Sequence, residues 1–104
     1  MADLIDMYAR YVENTFITEI VSEVTPTINA VANTQYLCGE VESLTIVLPQ
    51  SGIVDVIFES GDTPTVLTLP AGVKMHPSWP GVKANTKYEI NFCDGVGVYS
   101  YWTN

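Results

Sequence analysis

From about Thr15 onward, glycine, proline, asparagine and aspartate cut the chain into runs of five to ten residues. The cuts include QSG, SGDTP, PAG and DGVG, and between them lie TQYLCGEV, SLTIVLP, IVDVIFES, TVLTLP, KYEINFC and VGVYSYW. Runs this short, bounded by turn formers, read as strands, because a helix needs more residues to bury a face. Thirteen valines and eleven threonines point the same way, since branching at Cβ suits a pleated surface. Alternation supplies the faces: Val54, Val56 and Phe58 share one side of their run, with Asp55, Ile57 and Glu59 on the other. Tyr88, Ile90 and Phe92 are likewise set against Glu89, Asn91 and Cys93. The pattern predicts a mainly β domain, an antiparallel β-sandwich of jelly-roll-like or immunoglobulin-like type.

The first residues follow another period. In MADLIDMYARYVEN, Leu4, Ile5, Tyr8, Tyr11 and Val12 recur at three and four residues, and Asp3 and Asp6 supply carboxylates that suit a helix N-terminus. A short amphipathic α-helix is predicted over residues 3–14. Its apolar stripe makes Leu4, Tyr8, Tyr11 and Val12 candidates for oligomerisation or attachment, because such a stripe is too apolar to stand solvated alone. At Thr15 the stripe loses register and the β-branched TFITEIVSEV favours a strand or extended connector. The expected division is residues 1–24 as helix and connector and residues 25–104 as the sandwich.

Two echoes interrupt the sequence. ANTQY at Ala32–Tyr36 returns as ANTKY at Ala84–Tyr88. Asparagine tolerates the left-handed backbone region, so each copy reads as a corner that enters a strand at threonine and brings in tyrosine as its first large packing residue. IVLPQSG and VLTLPAG both end a strand on Leu-Pro, where proline lacks the donor to continue a ladder. With no longer repeat in the chain, a solenoid or propeller is not expected.

Twelve acidic residues against four basic ones give a formal net charge of −8, which repels phosphate backbones and anionic lipid, so neither nucleic acid nor a membrane is an expected partner. The N-terminus lacks the basic flank of a secretory signal, and no run is long and apolar enough to span a bilayer as a helix. Cys38 and Cys93 form no C-x-x-C and read as two buried thiols. His76, the one histidine, has no nucleophile or metal motif beside it. Glu40 and Glu42 read as solvated surface, and SGDTP and CDGVG as turns in place of calcium loops. No catalytic residue, metal or cofactor is therefore expected, and the protein is not expected to be an enzyme.

The aromatic residues offer one further surface. Trp79 lies between prolines in HPSWPG, near Lys74, His76 and Ser78, while Tyr99 and Tyr101 share one face of the last strand and Trp102 takes the other, where it is expected in a core. Trp79, His76, Tyr99 and Tyr101 are the candidate ligand contacts, and a glycan is the ligand that an open aromatic face with polar edges would suit.

Taken together, ANTQYLCGEVESLTIVLP, DVIFESGDTPTVLTLP, the Trp/Pro loop, ANTKYEINFCDG and the aromatic closing strand resemble a small β-sandwich module of tailed-bacteriophage virion proteins. The resemblance covers about Thr25 to Asn104. It implies a structural protein of the virion, made in the host cytoplasm, of head-fibre, decoration or tail-appendage type, with a symmetric oligomer such as a homotrimer and other virion proteins as partners. It brings no catalytic residues. Adhesion to a glycan on a host or mucosal surface is the alternative.

Overall fold

In the computed structural model, which describes residues 17–103, the first seven strands alternate between two sheets and the last two join the larger one. The strands are β1 (Ile17–Val21), β2 (Thr27–Asn29), β3 (Thr34–Glu40), β4 (Ser43–Val47), β5 (Val54–Ser60), β6 (Val66–Thr68), β7 (Lys74–His76), β8 (Thr86–Cys93) and β9 (Val96–Thr103). One sheet has six strands in the order β1-β3-β5-β8-β9-β7, and the other has three in the order β2-β4-β6. The chain thus winds from sheet to sheet and back, each turn laying a strand beside its predecessor in the same direction. The pairs β1·β3, β3·β5, β2·β4, β4·β6 and β7·β9 are parallel. Only β5·β8 and β8·β9 are antiparallel.

This overturns the expected antiparallel sandwich, and with it the exclusion of a solenoid. The arrangement is a stack of coils, solenoid-like, continued past β5 by the antiparallel hairpin β8–β9, with β7 parallel to β9 at the edge. The physical reason lies in the connections. Each short arc carries the chain across to the opposite layer, not back along the layer it left, so the next strand in a sheet arrives parallel. Equivalent positions are unevenly spaced: Ile17 pairs with Thr34 and Thr34 with Val54, offsets of 17 and 20 residues, while Thr27 pairs with Thr45 and Ser43 with Val66, offsets of 18 and 23. Coils of unequal length leave no fixed period in the sequence.

No helix occurs among the described residues. The expected helix over 3–14, with Leu4, Tyr8, Tyr11 and Val12, lies outside them. The expected strand after Thr15 is β1, which pairs with β3 as the edge of the larger sheet, although it precedes the expected boundary at Thr25.

The core lies between the two sheets. Tyr36, Cys38, Val54, Val56, Phe58, Tyr88, Ile90 and Phe92 enter it from the six-stranded sheet, and Ile28, Leu44 and Ile46 from the three-stranded one. The alternation read from the sequence for β5 and β8 is therefore the observed one. The corners stack as the strands do. The Asn33 N–H donates to the Ile53 carbonyl one coil later, and the Glu42 N–H reaches back to the Val24 carbonyl, each pairing a group that a loop would otherwise leave bare. Gly52 sits at φ 99° with its Cα against Ala32, so closely that a Cβ there would lie 2.4 Å from the alanine methyl. The β8–β9 turn is Asp94-Gly95, both at positive φ (51° and 77°), the geometry a two-residue hairpin needs to match strand twist.

Candidate functional site

Three surface features are built by this frame, and the sequence pointed directly at one. After β7 the chain passes through the cis His76–Pro77 peptide and brings Trp79 onto the core side of the six-stranded sheet. There its ring meets Tyr88 and Tyr99 edge to face, with centroids 5.5 Å and 4.7 Å away. The Tyr99 hydroxyl donates to the Ser78 carbonyl at 2.8 Å, which pins the loop beneath. Trp79 is thus a packing residue that closes the end of the core, and not an open platform. Tyr101 is the exposed end of the same array, 6.4 Å from Tyr99, with the Lys83 ammonium 5.5 Å from its ring centroid.

The four candidate ligand residues do not converge. Met75 packs inward against Gly97, so alternation turns Lys74 and His76 to the outer face, away from Trp79, Tyr99 and Tyr101. Trp102 also faces outward, 45% exposed beneath the Lys87 ammonium, and does not join the core as expected. β7 is three residues long and too short to be recognised beside two prolines, and Trp102 lies opposite Lys87 on the face away from Tyr99 and Tyr101.

The second feature is an open trough made by the two Leu-Pro strand ends. Leu48-Pro49 and Leu69-Pro70 come near each other because β4 and β6 pair in parallel and so end on the same side of the sheet. Val47, Val73 and Ala71 complete its walls, and no residue lining it is charged. The trough continues onto the outer face of the smaller sheet, where Thr27, Thr45 and Thr68 form a row flanked by Asn29, Val47, Ser43 and Val66. None of the residues in β2, β4 or β6 is charged, in a chain of net charge −8. The echo was legible in the sequence. That its two copies are neighbours was not, because this depends on parallel pairing.

The third feature is a polar row across the outer face of the larger sheet. Register places Thr18 beside Gln35, Gln35 beside Asp55 and Asp55 beside Asn91. The Gln35 amide donates to Asp55 Oδ2 at 2.8 Å and accepts from the Thr18 hydroxyl at 3.4 Å. Asp55 is 4% exposed, although alternation alone puts it on a solvated face. Its neighbour Glu89 stands within hydrogen-bonding reach of it, and that contact, with desolvation and the like charge of Asp55, raises the Glu89 pKa to about 7. Burial of a carboxylate between neighbours of this kind is not legible from a strand's own sequence.

Cys38 is buried and Cys93 exposed, on opposite faces of the sheet, so the expectation of two buried thiols holds for Cys38 alone. Glu40 and Glu42 line an open hollow with Asp62, and no group of three or more metal-ligating side chains occurs among the described residues. No helix among them is long and apolar enough to cross a membrane. The chain matches no protein-family model, no curated protein and no solved structure in the comparisons made.

Proposed function

We propose that this chain is a non-enzymatic structural subunit of a tailed-phage particle, of head-fibre, decoration or tail-appendage type, that meets its neighbours through uncharged surface. The observation that carries the reading is the concentration of charge elsewhere: the Leu-Pro trough and the adjoining sheet face carry none, although the chain is strongly acidic. Subunits that repel one another over most of their surface can approach through such a face at the least electrostatic cost. The virion setting rests on the sequence resemblance over Thr25 to Asn104. The apolar stripe Leu4, Tyr8, Tyr11 and Val12 provides the attachment segment in this reading, and a closed symmetric oligomer provides the partner surfaces.

Val47→Asp, at an exposed position in the trough, and deletion of residues 1–14 test it. Light scattering and particle incorporation should show loss of assembly in each variant while circular dichroism retains the β signal. Assembly unchanged in both would refute the reading. The adhesion alternative keeps one contact, the open ring of Tyr101 beneath Lys83, since Trp79 is engaged in packing.

A further inference from the structure

A carboxylate oxygen buried in a protein without a hydrogen-bond donor is costly, because it has left water and gained nothing in return. Asp55 Oδ1 is such an atom: it is fully buried and takes no hydrogen bond from an N–H or hydroxyl donor of the protein. Its partner oxygen Oδ2 is already served by Gln35. The group that adjoins Asp55 on the next strand is another carboxyl, Glu89, diagonal to it across the β5·β8 ladder, since Asp55 stands opposite Asn91 and Ile57 opposite Glu89. Two ionised carboxylates placed diagonally on adjacent strands would repel, whereas one proton between them supplies the missing donor and removes the repulsion.

We propose that Asp55 and Glu89 hold a single proton between them, Glu89 donating it to the orphaned Oδ1 of Asp55, and that this bond is a pH-operated latch between β5 and β8. The latch completes a line of side-chain bonds from Thr18 through Gln35 and Asp55 to Glu89, spanning β1, β3, β5 and β8. The elevation of the Glu89 pKa to about 7 is the behaviour such a pair requires. The surroundings favour it. Ile57 and Leu37 occupy the row of Glu89, Ser100 faces it from β9, and Thr18 and Ile20 stand on the outer face of β1. The charged groups nearest on this face are Lys87 on β8 and Glu59 on β5, which stand opposite each other one row along, with Glu40 of β3 beyond Glu59. Cys93 and, across β9, His76 lie on the far side of Asn91.

The direction of the effect follows from linkage. The folded chain holds a proton that the unfolded chain releases near pH 4.5, so the latch contributes fully below that value and is lost as the pH rises through about 7. Urea denaturation of the full chain between pH 4 and pH 8.5 should show this loss, on the order of tenfold in the folding constant after allowance for the partial exposure of Glu89. Glu89→Gln carries a permanent N–H donor and does not titrate, so it should remove that part of the pH dependence and be no less stable than wild type at pH 8. Carbon NMR of the Glu89 carboxyl in the wild-type chain should give a midpoint near 7. A midpoint near 4.5, or a Glu89→Gln variant with the wild-type slope, would overturn the proposal. The NMR measurement decides it even if the variant does not fold.

Discussion

Tyr36 and Tyr88 hold their corners in the same way: each phenol oxygen accepts a backbone N–H from five residues upstream, of Val31 and of Lys83, at 2.8 Å in both. The threonine two residues before each tyrosine bonds the carbonyl two residues before itself, Thr34 to Ala32 and Thr86 to Ala84. The repeated pentapeptide is therefore a repeated device, in which one phenol fills the core with its ring and closes a loop with its oxygen. Tyr36→Phe and Tyr88→Phe keep the ring and remove the acceptor, and should each cost about 1–3 kcal/mol by leaving a loop N–H unmatched. Urea denaturation at constant pH measures it, and two substitutions without effect would reduce the repeat to coincidence.

The corners also fix the backbone. Asn33 and Asn85 stand at φ 60° and 52°, where a residue with a plain Cβ is strained by about 1–2 kcal/mol. Asn→Ala at either site should destabilise by roughly that amount and Asn→Gly by much less. Gly52→Ala should be worse than either, because the new methyl meets both an unfavourable φ and the Ala32 methyl. Equal losses for alanine and glycine at Asn33 would show that backbone strain is not what selects the residue.

Trp79→Ala should cost about 2–3 kcal/mol, a fraction of the value for a fully buried tryptophan, as it opens the end of the core against Tyr88 and Tyr99. Tyr101→Ala, at the exposed end of the array, should change stability little. A glycan array probed with the assembled wild-type chain and with Tyr101→Ala then tests adhesion without the confusion of unfolding. Binding that vanishes only in the tyrosine variant would favour adhesion, and absence of binding by the wild type would leave the structural reading.

The two thiols should differ in reactivity. Burial pushes the Cys38 pKa up to about 11, so its thiolate is scarce at pH 8 and its sulfur is screened by the core. Iodoacetamide on the native chain should modify Cys93 first, with Cys38 following only on denaturation, as mass spectrometry of the digested protein would report. Equal rates in the native state would mean that the β3 edge of the core opens readily.

Much of the strand structure could be read from residues alone, because alternation depends only on the strand itself. Val54, Val56, Phe58, Tyr88, Ile90 and Phe92 face the core as their spacing indicates. Asn33 and Asn85 turn corners, and Asp94-Gly95 forms the hairpin, because backbone preference is local. The direction of pairing was hidden for the complementary reason. An inward-outward alternation is the same whether a neighbour runs parallel or antiparallel, and arcs such as Leu48 to Ile53 give no sign that they cross between layers. Asp55 looked solvated since nothing in IVDVIFES mentions Gln35 or Glu89, which bury it from other strands.

The change from parallel coils to an antiparallel hairpin has a consequence for how the chain finds its shape. Strands β8 and β9 close through a two-residue turn, a contact that forms in microseconds, whereas β1 to β3 and β3 to β5 each require a loop of seventeen or twenty residues to be drawn shut first. The ready-made template therefore lies at the C-terminal end, the part a ribosome delivers last, and β5 reaches it only across the twenty-six residues from Ser60 to Thr86. A nascent chain halted before Thr86 should lack protected amides in β3 and β5, and release of the last eighteen described residues should bring protection to the whole sheet at once.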